Sequence, residues 1–215
     1  AYNTSDLKAV KVSYDGATNN HEIRDAFYKA ETFTVVGGPQ SVDIELKRPF
    51  AQVNVGITEE EWNAVDAAGI EIKKSSVVFS EAANTINLMT GEVTGGAPVT
   101  FAAEDIISGE TLNVDLNKNK TFEADEKFRY LSMSYILVND PSANGAGKAI
   151  INNAKFTFTT SIDAVELSVP NLPVQRNYRT NVIGSFFIDG VNFNIVVDPI
   201  YNTEDEIYPD TNLEN

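Results

Sequence analysis

The sequence predicts an all-β protein built as an antiparallel β-sandwich with two short helices. Three observations carry that expectation. Apolar residues recur with period two or in short β-branched runs. Gly, Asn, Asp and Pro bound those runs at close intervals. The 12 Phe and 8 Tyr against a single Trp suit half-buried pleated surfaces.

In chain order, the expected strands are Ala9–Tyr14, Thr32–Val36, Ser41–Leu46, Phe50–Gly56, Ile70–Phe79, Thr85–Met89, Pro98–Phe101, Thr111–Leu116, Phe128–Val138, Lys155–Thr160, Val165–Val169, Arg179–Ile188 and Phe193–Val197. Many short strands separated by turns favour sandwiches over alternating βαβ units. Two segments have helical spacing. In Glu22–Ala30, Ile23, Ala26, Phe27 and Ala30 fall on one face. In the second, Thr58 is an N-cap with Glu61 as its capping-box acid, Trp62, Val65 and Ala68 face the core, and Gly69 ends the helix. Asp15-Gly16 and Asp189-Gly190 read as tight hairpin turns, and Thr90-Gly91 and Gly95-Gly96 flank short strands. Asn139–Lys148 is expected to be an exposed, mobile loop, and Asn202–Asn215 a flexible acidic tail.

The 215 residues suffice for one large sandwich or two small β-domains. The expected division is 1–40 as the remnant of an N-terminal β-domain, 41–202 as a C-terminal β-sandwich and 203–215 as the acidic tail. Net charge is −15, spread along the chain: residues 1–110 carry 8 basic and 17 acidic side chains, and residues 111–215 carry 8 and 14. Such a surface repels phosphate backbones, so no nucleic-acid partner is expected. No run of 18 apolar residues is present, so no transmembrane helix is expected. The chain opens without a charged and apolar leader; if the protein is exported, a mature or trimmed product is the simplest explanation.

Catalytic constellations are sparse. Without cysteine there is no disulfide, thiolate nucleophile or cysteine-held zinc. The single histidine, His21, lies in a polar turn and reads as solvated or capping rather than as a base. The glycine pairs lack the spacing and the Lys-Ser/Thr of a phosphate loop. A glycosidase-type carboxylate pair is the one chemistry the composition leaves open, and no pair stands out. The expectation is a non-enzymatic protein without a cofactor.

One segment has metal-loop spacing. Asp115, Asn117, Asn119, Glu123 and Glu126 supply oxygens at positions 1, 3, 5, 9 and 12 of an EF-hand-like loop, with Phe122 at the apolar eighth position. Lys120 stands where the turn-forming Gly belongs, and a strand precedes the loop. An Asn/Lys-rich strand connection is therefore the simpler reading.

Two stretches carry a family resemblance. The first is Ile44-Glu-Leu-Lys-Arg-Pro-Phe-Ala-Gln-Val-Asn-Val-Gly56, which holds Leu46, Arg48, Pro49 and Ala51. The second is Leu172–Gly184, with Val174, Arg176, Asn177 and Thr180, followed by a strand with Ile195, Val197 and Asp198. Together they resemble the fimbrillin-like cell-surface proteins of Bacteroidales. The resemblance implies transthyretin-like sandwiches, export as lipoproteins to the outer membrane, proteolytic trimming, and assembly into fimbriae by strand exchange with other subunits. It also implies adhesion to host or bacterial surface ligands. This chain departs from the family in lacking the lipid-bearing Cys and in a shorter N-terminal part. Physically, Arg48 and Arg176 lie at strand entries, where a guanidinium can bond loop carbonyls and an acid at once, so they are assigned to folding. Pro49 suits a strand's first residue. Phe193, Ile195 and Val197 alternate as an assembly strand would. The alternative is a glycan-binding surface lipoprotein of a polysaccharide-uptake system, with Tyr2, Tyr14, Trp62 and Tyr201 as the aromatics that would meet sugar.

Overall fold

A computed structural model describes residues 2–3, 6–107, 109–139, 148–188 and 190–199, with side chains described from residue 6 onward. The expected tail, Tyr201, Asp189 and residues 140–147 of the expected loop lie outside them. Thirteen strands are described: β1 (Tyr2–Asn3), β2 (Val10–Val12), β3 (Phe50–Ile57), β4 (Ile72–Ala82), β5 (Thr85–Ile86), β6 (Val93–Thr94), β7 (Ala97–Asp105), β8 (Thr111–Asn113), β9 (Lys127–Leu137), β10 (Ala149–Thr160), β11 (Ala164–Val174), β12 (Arg179–Ser185) and β13 (Asn192–Asp198). One α-helix, α1 (Glu59–Ala67), accompanies them. The chain is all-β, with about half of it in strands.

The strands form three sheets, in the orders β1-β2-β5-β6, β11-β10-β4-β7 and β13-β12-β3-β9-β8. The five-stranded sheet is the middle layer of a three-layer stack. On one face Ala51, Val53, Val55, Ile57, Leu131 and Val182 pack against Val77, Phe79, Phe156, Phe158, Leu167 and Val169 of the β4/β10/β11 sheet. On the other face Phe50, Leu112, Tyr130, Met133 and Tyr135 pack against Val10, Val12, Ile86 and Val93 of the small sheet. Burial on both faces is why every residue of β3 is buried, although its sequence alternates apolar and polar. The polar members are satisfied internally: Tyr130 donates to Asn54 Oδ1 at 2.6 Å, Asn54 Nδ2 to Asn181 Oδ1 at 2.8 Å, and Gln52 Nε2 to the Tyr135 hydroxyl at 2.8 Å.

A β-bulge between Val55 and Gly56 skips Leu131 in the β3–β9 register. It turns Leu131 to the first core while Tyr130 and Met133 face the second. Along the β4/β10 side, aromatic rings run from Tyr14 through Phe101, Phe79, Phe156 and Phe158 to Phe186 and Phe187, with centroids 5.2–6.5 Å apart.

The expected division at residue 40 is crossed by packing. Val10 and Val12 join the second core, Ala17 joins the first, and Val10 pairs with Ile86. Three expectations are corrected. The helix over Glu22–Ala30 is a single 3-10 turn, Glu22–Arg24, with Ile23 exposed. Asp25 turns the chain extended there and spends its carboxylate on Arg48 rather than on a second helical turn. Thr32–Val36 and Ser41–Leu46 join no sheet. The sheets are also not wholly antiparallel, since β12 runs parallel to β3 with Arg179 opposite Gln52. The α1 expectation agrees with the structure in most details: Thr58 Oγ1 accepts from the Glu61 N–H at 3.2 Å, Val65 is buried, and Gly69 follows at φ +72°. Ala68, however, is exposed.

A candidate junction and an open sheet edge

The two signature segments meet, although 128 positions separate Arg48 from Arg176. Chain entry to β3 and chain entry to β12 lie side by side because these strands pair in parallel. Asn177, at φ +60°, accepts from the Arg48 N–H through Oδ1 at 3.0 Å, and its own N–H donates to Phe50 O at 3.0 Å. Asn tolerates this left-handed backbone because its short side chain bonds nearby main chain. The Arg48 guanidinium, almost wholly buried, meets Asp25 with Nε at 2.7 Å from Oδ1 and Nη2 at 3.0 Å from Oδ2, and lies 4.4 Å from the Phe27 ring centroid. Arg176 donates to Val138 O at 3.2 Å and Gly91 O at 2.8 Å. Thr180 donates to Pro173 O at 2.7 Å. Pro49 sits just before β3 and is buried.

Around this junction lies a cleft of about 490 Å³ lined by Tyr28, Lys29, Lys47, Arg48, Arg176 and Asn177, among others, with no carboxylate in its lining. Its cations are met from outside the lining. Arg48 pairs with Asp25, Lys29 with Glu31 at 3.3 Å, and Lys47 with Glu45 at 3.4 Å. Burial pushes the Tyr28 hydroxyl above the ordinary tyrosine range, with Arg176 and Lys29 opposing.

From the junction the middle sheet runs outward through β12 to β13, its edge strand among the described residues. Phe193, Ile195 and Val197 are half-buried, and the first two pack on the first core. β13 is paired with β12 over its whole length, from Arg179–Asp198 to Ser185–Asn192. Gly184, opposite Phe193, permits this approach: a Cβ there would overlap Asn192 O and lie 2.7 Å from Phe193 Cα. Asp198 closes the other end, 3.5 Å from buried Arg179.

The turn leading to β13 is held by a residue whose role the sequence reading missed. Glu61 is buried, and its carboxylate accepts the N–H groups of Phe186 and Phe187 at 2.8 and 2.6 Å. The Ile188 N–H stands 3.4 Å away. Thr58 N–H, which a capping-box acid would have bonded, donates instead to Gly184 O at 3.2 Å. The signal was the Thr58-x-x-Glu61 spacing, read only as a helix start.

In the metal-spaced loop the oxygens already hold hydrogens. Asp115 accepts from Asn119 N–H at 3.1 Å and Lys120 N–H at 2.9 Å, and Glu126 accepts from Leu116, Asn117 and Glu123 N–H at 2.7, 3.1 and 3.0 Å. Asn117 Oδ1 accepts from Asn119 N–H at 2.9 Å, and Glu123 Oε1 from Asn119 Nδ2 at 3.2 Å. Lys120 has φ +64°, the conformation for which a Gly was expected. Among the described residues no group of three His, Asp or Glu side chains is placed to hold a metal ion. The Glu123 N–H holds the Glu126 carboxyl below the usual range; burial opposes it, and the Asn117 and Leu116 N–H groups add to it.

His21, exposed, lies 3.7 Å from the half-buried Glu104. Tyr14 is half-buried, donating to Ala83 O at 3.2 Å and accepting from Leu137 N–H at 2.8 Å. Trp62 is half-buried against the first core beneath Arg129. Neither forms an exposed sugar platform, and the Tyr2 side chain is outside the described set. No helix among the described residues is long and apolar enough to cross a membrane.

The model of a family of unknown function (DUF6562) matches residues 1–214. No curated protein matches the chain. Among solved structures, the chain is similar to a "putative cell adhesion protein" from Bacteroides ovatus ATCC 8483, at 10% identity and a TM-score of 0.38, over 73% of this chain and 47% of that one. It is also similar to the tip fimbrial protein Mfa3 from Porphyromonas gingivalis with C-terminal truncation, at 13% identity and a TM-score of 0.37, over 80% of this chain and 61% of that one. The chain thus spans less than two thirds of either.

Proposed function

The chain belongs to the family of unknown function DUF6562, and on that premise we propose that it is a fimbrial subunit or adhesin of a bacterial cell surface, assembled by β-strand addition. The observation that carries this reading is the meeting of two fimbrillin-like segments, through Arg48 and Asn177, in one sheet that ends in an edge strand. A sheet edge offers a row of backbone donors and acceptors to an extended segment of another subunit, and half-buried apolar side chains beside it supply pockets. The role is non-enzymatic and needs no cofactor. Its partners are other fimbrial subunits and surface ligands, its place is the outer membrane or fimbrium, and the transthyretin-like description of the sandwich belongs to the same proposal.

The test is direct. Purified protein is followed by light scattering and electron microscopy over a wide concentration range, alone and with candidate fimbrial subunits from the same genome. Linear multimers or stable mixed complexes are expected. Protein that stays monomeric in every mixture would remove the reading.

A further inference from the structure

The segment Glu31–Leu46 has the sequence of two strands and belongs to no sheet. Ser41-Val42-Asp43-Ile44-Glu45-Leu46 alternates polar and apolar without a break, and its apolar members are exposed: Val42 by 38%, Ile44 by 56% and Leu46 by 53%. Phe33, Val35 and Val36 are likewise exposed. A β-hydrogen-bonded pair, Tyr28 with Lys47, closes the base of this arm, with N–H to O distances of 2.9 and 3.1 Å. Its bend is fastened by Gln40, which donates to Thr34 O at 2.6 Å and accepts from Val36 N–H at 3.4 Å. Between these fixings, no backbone group of the arm pairs with a strand among the described residues. An alternating apolar face on extended, unpaired backbone is a strand lacking its sheet.

The edge strand β13 has the complementary deficit. Phe193, Ile195, Val196 and Val197 are each only half-buried at the outer edge of the middle sheet. Among the described residues of the single copy neither surface is paired with the other or with a further strand. β13 is also a poor donor, because leaving would break seven register pairs with β12.

We propose that the arm Glu31–Leu46 donates a strand to the β13 edge of a second copy. Val42, Ile44 and Leu46 continue the row of Phe193 and Ile195, while Asp43 and Glu45 continue the row of Asn192 and Asn194. The contact is head-to-tail, since arm and edge are different surfaces, and its repetition builds a ring or an open filament unless two copies exchange arms reciprocally. This rests on the assembly reading above and names its donor and acceptor.

Because the chain has no native cysteine, the pairing can be trapped without background. Asp43→Cys and Asn194→Cys are made as separate single variants of the full chain, mixed and oxidised mildly. A disulfide-linked pair containing one of each is expected. Linkage of Asp43→Cys only to itself would overturn the acceptor. A double variant that closes within one monomer at all concentrations would overturn the second copy as occupant. In parallel, Val42→Asp/Ile44→Asp places charges at exposed positions, so its Tm is expected to match the wild type while self-association weakens about tenfold or more. Unchanged self-association of that variant overturns the arm but leaves the assembly reading standing. A wild type that is monomeric throughout overturns both.

Discussion

Glu61 is a buried carboxylate whose hydrogen-bonding partners are backbone groups of a distant turn. Glu61→Ala leaves the Phe186 and Phe187 N–H groups without their acceptor, and a loss of about 2–3 kcal/mol is expected from urea unfolding. Glu61→Gln retains one acceptor oxygen and is expected to lose about half as much. Glu126 acts similarly on its own loop, but its consequence is read in pH. Its folded-state carboxyl is held below the unfolded value, so its contribution is present above the unfolded carboxylate range and disappears as pH falls through the folded one. A Tm series from about pH 6 to about pH 3 should decline less steeply in Glu126→Gln than in wild type. Equal slopes would mean that the Glu126 carboxylate adds nothing to the pH dependence of stability. At this scale the sequence was half legible. Thr58 as N-cap followed from spacing, whereas the target of Glu61 did not, because a carboxylate three residues after an N-cap looks the same whether it closes a capping box or reaches across the fold.

Among the elements, β12 and β13 depend on one missing side chain. Gly184→Ala drives a methyl into the Asn192 and Phe193 backbone, which cannot yield as a flexible side chain would. The expected cost is about 2–3 kcal/mol, with amide exchange accelerated first in Asn192–Asp198. Protection unchanged there would show that the hairpin shifts as a unit to accept the methyl. Period two located β3, β4, β9 and β13 to within a few residues, because each has a face against a core, and caught only the second half of β10. It failed for Thr32–Val36 and Ser41–Leu46 for an instructive reason: alternation reports that a strand is wanted, not that a partner stands within the same chain. Helical spacing in turn misjudged Glu22–Ala30, where the i, i+3, i+4 apolar pattern was genuine but Phe27 stacks on Arg48 and Ile23 faces solvent.

For the whole molecule, the shared middle sheet ties two cores into one unit. Phe156→Ala empties the first core and Leu112→Ala the second; losses of about 3–5 and 2–5 kcal/mol are expected, respectively. In both variants a single transition should be shifted, with Trp62 fluorescence and far-UV circular dichroism coincident. Separated transitions would mean that the small sheet of β1, β2, β5 and β6 unfolds alone. Little in the residue pattern warned of this third layer. Period two puts Gln52 and Asn54 on the face opposite Ala51, Val53 and Val55, and only the partners Tyr130, Tyr135 and Asn181 reveal that this face is covered.

The parallel pairing of β3 with β12 has a consequence in time. Gln52 leaves the ribosome 127 residues before Arg179, its register partner. Until β12 emerges, one edge of β3 is bare, and closing the pair later requires ordering most of the intervening chain. Folding is therefore expected to be slow and to wait for β12, so that a nascent chain stays open and in need of shielding from aggregation until Arg179–Ser185 has emerged.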